Sequence, residues 1–309
     1  MSLSLGDPCP IGVFDSGLGG LSVLREIHQL LPHENLIYVG DSAHAPYGDN
    51  SAEYVRDRSL EVSEFLLDQG VKAIVVACNT ATAEAIDLLR EKLDVPMIGL
   101  EPAIKPASKL SRNGIIGVLA TQRTINSERL LGLTEQYAEG KRVLAQACPG
   151  LVEQVEACEL ESDKTKTLLK HYITPLLTEG VDALILGCTH YPFLIDAIRD
   201  IINDSHSPQS NITKNNNLNN RNIMILETGK PVALQLQRVL KQHNLERIVD
   251  RKTDHFGEKQ NNLGKISFYN SSTNPITLKS MKYLWQRSSQ KSINPIAIKA
   301  LPALEYNHD

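Results

Sequence analysis

The chain has five cysteines, Cys9, Cys78, Cys148, Cys158 and Cys188, and no CxxC pair among them. An odd number of unpaired spacings excludes a disulfide scaffold and a structural zinc site. No apolar run approaches the roughly 18 residues of a membrane span. Residues 1–10 carry neither the basic region nor the apolar stretch of a signal peptide. A cytoplasmic protein with no membrane partner is therefore expected. Charge of one sign is not in excess, with 32 basic and 36 acidic side chains and a net charge of −4. Nucleic acid is accordingly not an expected partner. GxGxxG and the Gly-Lys-Ser/Thr ending of a P-loop are both missing, so no nucleotide signature is present. Neither a cofactor nor a metal is expected.

What is present is ordinary globular composition, 41% apolar and 22% charged over 309 residues. That length can hold two compact domains. Short aliphatic runs at 11–14, 36–39, 73–77, 96–99, 115–119, 143–147, 183–186 and 223–226 alternate with amphipathic stretches. Helical patterns cover 21–31, 52–69, 81–93, 165–178 and 232–243. Strands of four to six residues separated by helices predict an α/β fold with parallel-rich sheets. The unbroken run Ala73-Ile-Val-Val-Ala77 is what a parallel strand buried on both faces requires.

An internal repeat organises the chain. Gly70-Val-Lys-Ala-Ile-Val-Val-Ala-Cys78 aligns without gaps to Gly180-Val-Asp-Ala-Leu-Ile-Leu-Gly-Cys188, at an offset of 110. Ile11-Gly-Val-Phe14 repeats as Ile116-Gly-Val-Leu119, at an offset of 105. Two similar α/β lobes would each bring one cysteine to the carboxyl end of a strand, the edge where open α/β sheets bind ligands. The first lobe is expected from 1–100 plus 221–285 and the second from 101–220, with a tail at 286–309. Within 203–222, eight of 20 residues are Asn, which reads as a surface insertion. The stretch 247–299 carries ten basic and three acidic residues, scattered along a solvated face rather than clustered.

Cys78 and Cys188 each end an aliphatic strand and open a polar turn, Asn79-Thr80 and Thr189-His190. Amide groups at a following helix N-terminus lower a thiol pKa and hold anions. Cys9, Cys148 and Cys158 read as packing residues. A thiol hydrolase needs one cysteine and a base. Two equivalent acid/base groups facing across a cleft suit inversion of a carbon centre, with a base on one face and an acid on the other. In Phe14-Asp15-Ser16-Gly17-Leu18-Gly19-Gly20 a strand ends at a glycine-rich turn suited to close approach of an anion. There Asp15 is equally readable as a helix cap or a catalytic group. The loop Gly40–Gly48 offers amides and the Tyr47 hydroxyl to a carboxylate. No Arg or Lys lies in these four loops, so neutral donors and helix N-termini would hold an anionic ligand. Glu156 reads as a helix surface charge, and His190 as a group that tunes Cys188 or packs.

The ordered set Phe14–Gly20, Pro46-Tyr47-Gly48, Ala77-Cys78-Asn79-Thr80-Ala81 and Gly187-Cys188-Thr189-His190-Tyr191-Pro192 resembles the glutamate racemases. Glu101-Pro-Ala-Ile-Lys-Pro106 and Gly117-Val-Leu-Ala-Thr121 support the likeness, which runs from about residue 11 to 272. The resemblance implies two pseudosymmetric α/β domains with the substrate between them. It implies cofactor-free interconversion of L-glutamate and D-glutamate, supplying peptidoglycan synthesis, by a cytoplasmic enzyme; a homodimer is left open, because the sequence does not give oligomeric state. It makes Cys78 and Cys188 the acid/base thiols, assisted by Asp15, His190 and Glu156. Contacts to substrate are implied for Asp15, Ser16, Tyr47, Gly48, Asn79, Thr80, Thr121, Thr189 and His190. Cys158 stands near Glu156 where a glycine is usual, and Glu227-Thr-Gly-Lys replaces an Asp-Ser-Gly turn. An aspartate or hydantoin racemase, a thiol amidase using one cysteine, and a non-enzymatic binder of acidic amino acids are the competing readings.

Overall fold

In the computed structural model, residues 7–205, 223–247, 263–288 and 297–302 are described. The first half of the chain runs β1 (Ile11–Asp15), α1 (Leu21–Leu30), β2 (Leu36–Gly40), α2 (Ala52–Asp68), β3 (Ala73–Val76), α3 (Asn79–Lys92), β4 (Met97–Gly99) and α4 (Ile104–Leu110). It continues β5 (Ile115–Ala120), α5 (Gln122–Ile125), α6 (Glu128–Tyr137), β6 (Arg142–Ala147), α7 (Leu151–Glu156), α8 (Asp163–Thr178), β7 (Ala183–Leu186) and α9 (Ile195–Ser205). The last part holds β8 (Met224–Leu226), α10 (Gly229–Gln242), β9 (Ile266–Asn270), α11 (Pro275–Ser288) and β10 (Ile298–Ala300).

Two sheets form, ordered β10-β9-β2-β1-β3-β4 and β6-β5-β7-β8. Every strand pair in them is parallel. The order β2-β1-β3-β4 in one sheet is matched by β6-β5-β7-β8 in the other, and the repeated segments pair in the same register. Ile11 sits opposite Ala73, and Ile116 opposite Ala183. The repeat extends to backbone conformation. Gly70 and Gly180, which follow α2 and α8, both take positive φ, 71° and 85°. An L side chain is strained there, so glycine is needed to turn the chain from helix into strand.

Hydroxyl caps start several helices. Ser51, Thr121, Ser127 and Ser162 accept N–H bonds at the starts of α2, α5, α6 and α8. The apolar face of α1, with Leu21, Leu24 and Ile27 fully buried, packs on the first sheet. One buried cluster joins these residues to Leu119, Val155 and Leu186 of the second lobe, so the two lobes share a core.

The expected boundary at 221 shifts. Met224–Leu226 pairs with β7, Ala183 opposite Met224, and completes the second sheet where β4 completes the first. The chain returns to the first lobe with α10, which packs on α1. The expected tail at 286–309 also contributes structure. Ile298–Ala300 pairs with β9 at the edge of the first sheet. Of the Asn-rich stretch 203–222, residues 203–205 finish α9 and 206–222 lie outside the described residues.

Candidate active site

All the loops singled out in the sequence leave the carboxyl ends of strands. Asp15 ends β1, and the turn 16–20 leads into α1. Cys78 follows β3 and caps α3, its Sγ accepting the Ala81 N–H at 3.4 Å. Gly187 and Cys188 follow β7, Thr121 follows β5, and the loop 41–49 follows β2.

Cys78 from the first lobe and Cys188 from the second line one cavity. Ser16, Tyr47, Gly48, Asn79 and Thr80 join Cys78 on its wall. Thr121, Thr189 and His190 join Cys188. Pro46, Val152 and Gly187 line it too and were not foreseen. Gly187 stands in a motif of the sequence, and the fold supplies its reason: a Cβ there would stand 2.9 Å from the Leu119 carbonyl of neighbouring β5.

Asp15 and Glu156 stand behind this wall. Asp15 is fully buried, and its Oδ2 accepts the Gly20 and Gly17 N–H groups at 3.0 and 3.2 Å. The Thr189 hydroxyl donates to Oδ1 at 3.4 Å. Asp15 is thus not the cap of α1, whose N-cap is Gly20 without a side-chain bond; one oxygen fixes the glycine turn ahead of the helix and the other reaches across to the second lobe. Glu156 ends α7. Its Oε1 accepts the Leu18 N–H at 2.6 Å and lies 2.7 Å from His190 Nε2. The glycine turn is therefore squeezed between lobes. A Cβ on Gly17 would fall on the Glu156 carboxylate, and one on Gly19 on the His190 ring and Thr189 hydroxyl. The Ser22 hydroxyl is 2.8 Å from the Gly19 carbonyl and 2.9 Å from that of Thr189, a further tie between the lobes.

The surroundings of the two thiols differ. Cys188 Sγ lies 3.6 Å from His190 Nδ1. Burial pulls the His190 pKa down, but hydrogen bonds to Cys188 and Glu156 outweigh it and hold it well above the ordinary value. The imidazolium is thus favoured on the Cys188 side. Among the described residues no such cation stands beside Cys78. Its thiol is 3.7 Å from the Ser16 hydroxyl. Burial, then the Asp15 charge, push its pKa up; the Ala81 N–H and Ser16 offset only part. The expectation that a helix N-terminus lowers this pKa is corrected: one amide does not outweigh removal from water.

The Asn79 amide is the polar group most in need of a partner. The residue is 4% exposed, and among the described residues neither its nitrogen nor its oxygen has a hydrogen-bond partner. Buried amides are nearly always satisfied, so this one is set for a ligand. Tyr47 is the reverse case. Its hydroxyl donates to Asp41 at 2.7 Å, so it is not the free carboxylate donor anticipated from the loop. Among the described residues no cluster of three or more His, Cys, Asp or Glu is arranged to hold a metal ion.

The family described as Asp/Glu/hydantoin racemase matches residues 11–206. The glutamate racemase of Ectopseudomonas mendocina is 51% identical over 237 residues, covering 76% of this chain and 84% of that one. The crystal structure of glutamate racemase isoform RacE1 from Bacillus anthracis superposes with a TM-score of 0.75 at 29% identity, covering 96% and 98% of the two chains. That of the Francisella tularensis glutamate racemase, in complex with D-glutamate, gives 0.74 at 26% identity, covering 96% and 99%.

Proposed function

The chain belongs to the Asp/Glu/hydantoin racemase family and racemises glutamate, and from that premise we propose that it inverts Cα by passing protons between Cys78 and Cys188. The observation that carries this reading is the placement of two thiols, one from each lobe, on a single cavity. A two-sided exchange needs one group as thiolate while the opposite one is a thiol. The surroundings fit that division. The raised His190 pKa keeps a cation 3.6 Å from Cys188, while burial disfavours ionisation of Cys78. Cys188 then takes the α-proton of L-glutamate and Cys78 supplies one to the opposite face. In the D-to-L direction the roles exchange. Glu156 orients His190, and Asp15 holds the turn that carries Ser16. The Asn79 amide and the hydroxyls of Thr80, Thr121 and Thr189 bind the two carboxylates of the substrate. Neutral donors suffice because a dicarboxylate in a dry cavity gains from every fixed dipole.

No described helix is long and apolar enough to cross a membrane. The unpaired cysteines support a reducing cytoplasm, where D-glutamate would supply peptidoglycan synthesis.

The test is racemisation of purified protein, dialysed against chelator, in D₂O. Product formed early from L-glutamate should carry deuterium at Cα while remaining substrate stays protiated. Cys78→Ser and Cys188→Ser should each lose at least the ~10²–10⁴-fold of a missing acid/base group. Substantial racemisation by either variant rejects the two-thiol mechanism. The Cys188–His190–Glu156 alignment also has the nucleophile–base–orienter form of a thiol hydrolase. That reading has no use for Cys78, so hydrolysis of glutamate amides surviving in Cys78→Ser would favour it.

A further inference from the structure

Behind the cavity wall lies a charged cluster that the proposed proton exchange does not use. Asp41 follows β2 and is fully buried. Arg58 of α2 grips it with two parallel contacts, Nε to Oδ2 at 3.1 Å and a terminal nitrogen to Oδ1 at 2.9 Å. The other terminal nitrogen of Arg58 is paired with Glu61. The Tyr47 hydroxyl donates to the same Asp41 Oδ2 at 2.7 Å. Tyr47 and Gly48 are on the cavity wall, and a Cβ on Gly48 would stand 2.9 Å from Thr121 of the other lobe.

We propose that Asp41, clamped by Arg58, is a positioning residue for glutamate binding: it holds the Tyr47 hydroxyl away from the substrate and so fixes the Tyr47–Gly48 turn against Thr121. The argument is one of valence and burial. A carboxylate offers two oxygens, and here Oδ1 is occupied by Arg58 and Oδ2 by Arg58 and Tyr47. A bidentate guanidinium–carboxylate pair fixes orientation as well as distance. Tyr47 is 1% exposed, so its phenol has no solvent alternative. Burial, and after it the Asp41 charge, push the phenol pKa well above the ordinary value, which keeps the hydroxyl a donor throughout the working range. Arg58 brings no net positive charge to the cavity, since Asp41 and Glu61 both face it. Its role is mechanical: it fixes the Tyr47–Gly48 turn, which lines the cavity.

The inference rests on the glutamate reading of the cavity, and the experiment separates the two. Tyr47→Phe, Asp41→Asn and the double variant are assayed for racemisation. Their Kd for D-glutamate is read by calorimetry, which needs no proton transfer. Asparagine carries no charge and puts an NH2 where Oδ1 takes the Arg58 terminal nitrogen, so the two-armed grip that orients the group on Tyr47 is lost. Each single change should raise KM and Kd about tenfold, the ratio that one hydrogen bond to a charged group represents, with kcat moving less than about threefold. The double variant should be no worse than the weaker single, because both changes cut one link. Two results overturn the proposal. Tyr47→Phe raising Kd while Asp41→Asn leaves it alone would show the phenol touching substrate directly. Falls in kcat alone, in step with a reduced folded fraction, would show a merely structural pair. Should Asp41→Asn fail to fold, Arg58→Lys takes its place in the cycle, keeping the charge but not the fork. No D-glutamate binding by the unaltered protein would instead reject the glutamate reading, and with it the clamp's role.

Discussion

His190 Nε2 and Glu156 Oε1 are 2.7 Å apart, and the same carboxylate oxygen accepts the Leu18 N–H of the opposite lobe at 2.6 Å. One atom thus supports the cation beside Cys188 and fastens the glycine turn. Glu156→Gln should keep a hydrogen bond to the ring but lose the charge, so the His190 pKa falls from its raised position. Racemisation should drop about 10–100-fold, as for a lost hydrogen bond between charged groups. The alkaline limb of its pH profile should move to lower pH. The sign for stability is fixed as well. Because the folded His190 pKa lies above 6.5, its contribution is complete below that pH and fades as pH rises through the folded value. Thermal midpoints of the two proteins measured across pH should therefore converge on the alkaline side.

Gly17→Ala should be far more damaging than an ordinary glycine-to-alanine change in a turn. The added methyl falls on the Glu156 carboxylate. Overpacking of this kind costs about 1–3 kcal/mol. Denaturant midpoints should fall accordingly, and activity should fall further than the folded fraction, since Glu156 must move from His190. Unchanged activity would mean that the lobes do not meet as described.

Asp15→Asn should separate stability from function. Burial raises the Asp15 pKa, with Glu156 adding to it and His190, Gly20 and Gly17 opposing. A carboxyl with a raised folded pKa stabilises below its unfolded pKa, and that stability is lost as pH rises through the folded value. Ionising Asp15 in the folded protein therefore costs stability. The amide should leave the thermal midpoint at pH 7.5 equal or higher while kcat drops at least about tenfold. Scanning calorimetry beside the racemisation assay reads both. A lower midpoint would show that the hydrogen bonds of the charged form outweigh its burial.

Replacing 207–221 by a short polar linker, between the end of α9 and the start of β8, should leave kcat/KM within about twofold. Loop length enters stability only as about 0.6 kcal/mol per doubling. Loss of the folded protein on this exchange would show that the Asn-rich stretch packs against the lobes.

The sequence showed β1, β2, β3 and β7 because parallel strands buried on both faces must be aliphatic throughout, and Ala73–Val76 and Ala183–Leu186 are, while the part-buried β6 and β8 were legible from short aliphatic runs alone. It showed the two thiols because a strand ending in Cys occurs twice. β9 and β10 were missed. Ile266-Ser-Phe-Tyr-Asn alternates and ends in polar groups, and Ile298–Ala300 is a three-residue edge strand with two exposed positions. Strand 223–226 was legible as a strand but not as a member of the second sheet, because pairing is a non-local choice. Nor does any local pattern link Asp41 to Arg58, 17 residues apart, or tell that the Tyr47 hydroxyl is already engaged. The direction of the Cys78 pKa shift was misjudged for the same reason: burial depth belongs to the assembled lobes, while a helix N-terminus can be read from a turn.

The matching strand orders of the two sheets carry unequal flanks, His190 beside Cys188 and Ser16 beside Cys78. Mirror-image substrates in achiral solution have the same free energy, so their interconversion has an equilibrium constant of unity. The ratio kcat/KM must therefore be identical for L- and D-glutamate, however different the two sides of the cavity are. The inequality of the flanks can appear only as a trade within each direction. Whichever enantiomer leaves the less comfortable thiol ionised turns over at a different maximum rate, and its KM shifts by the same factor.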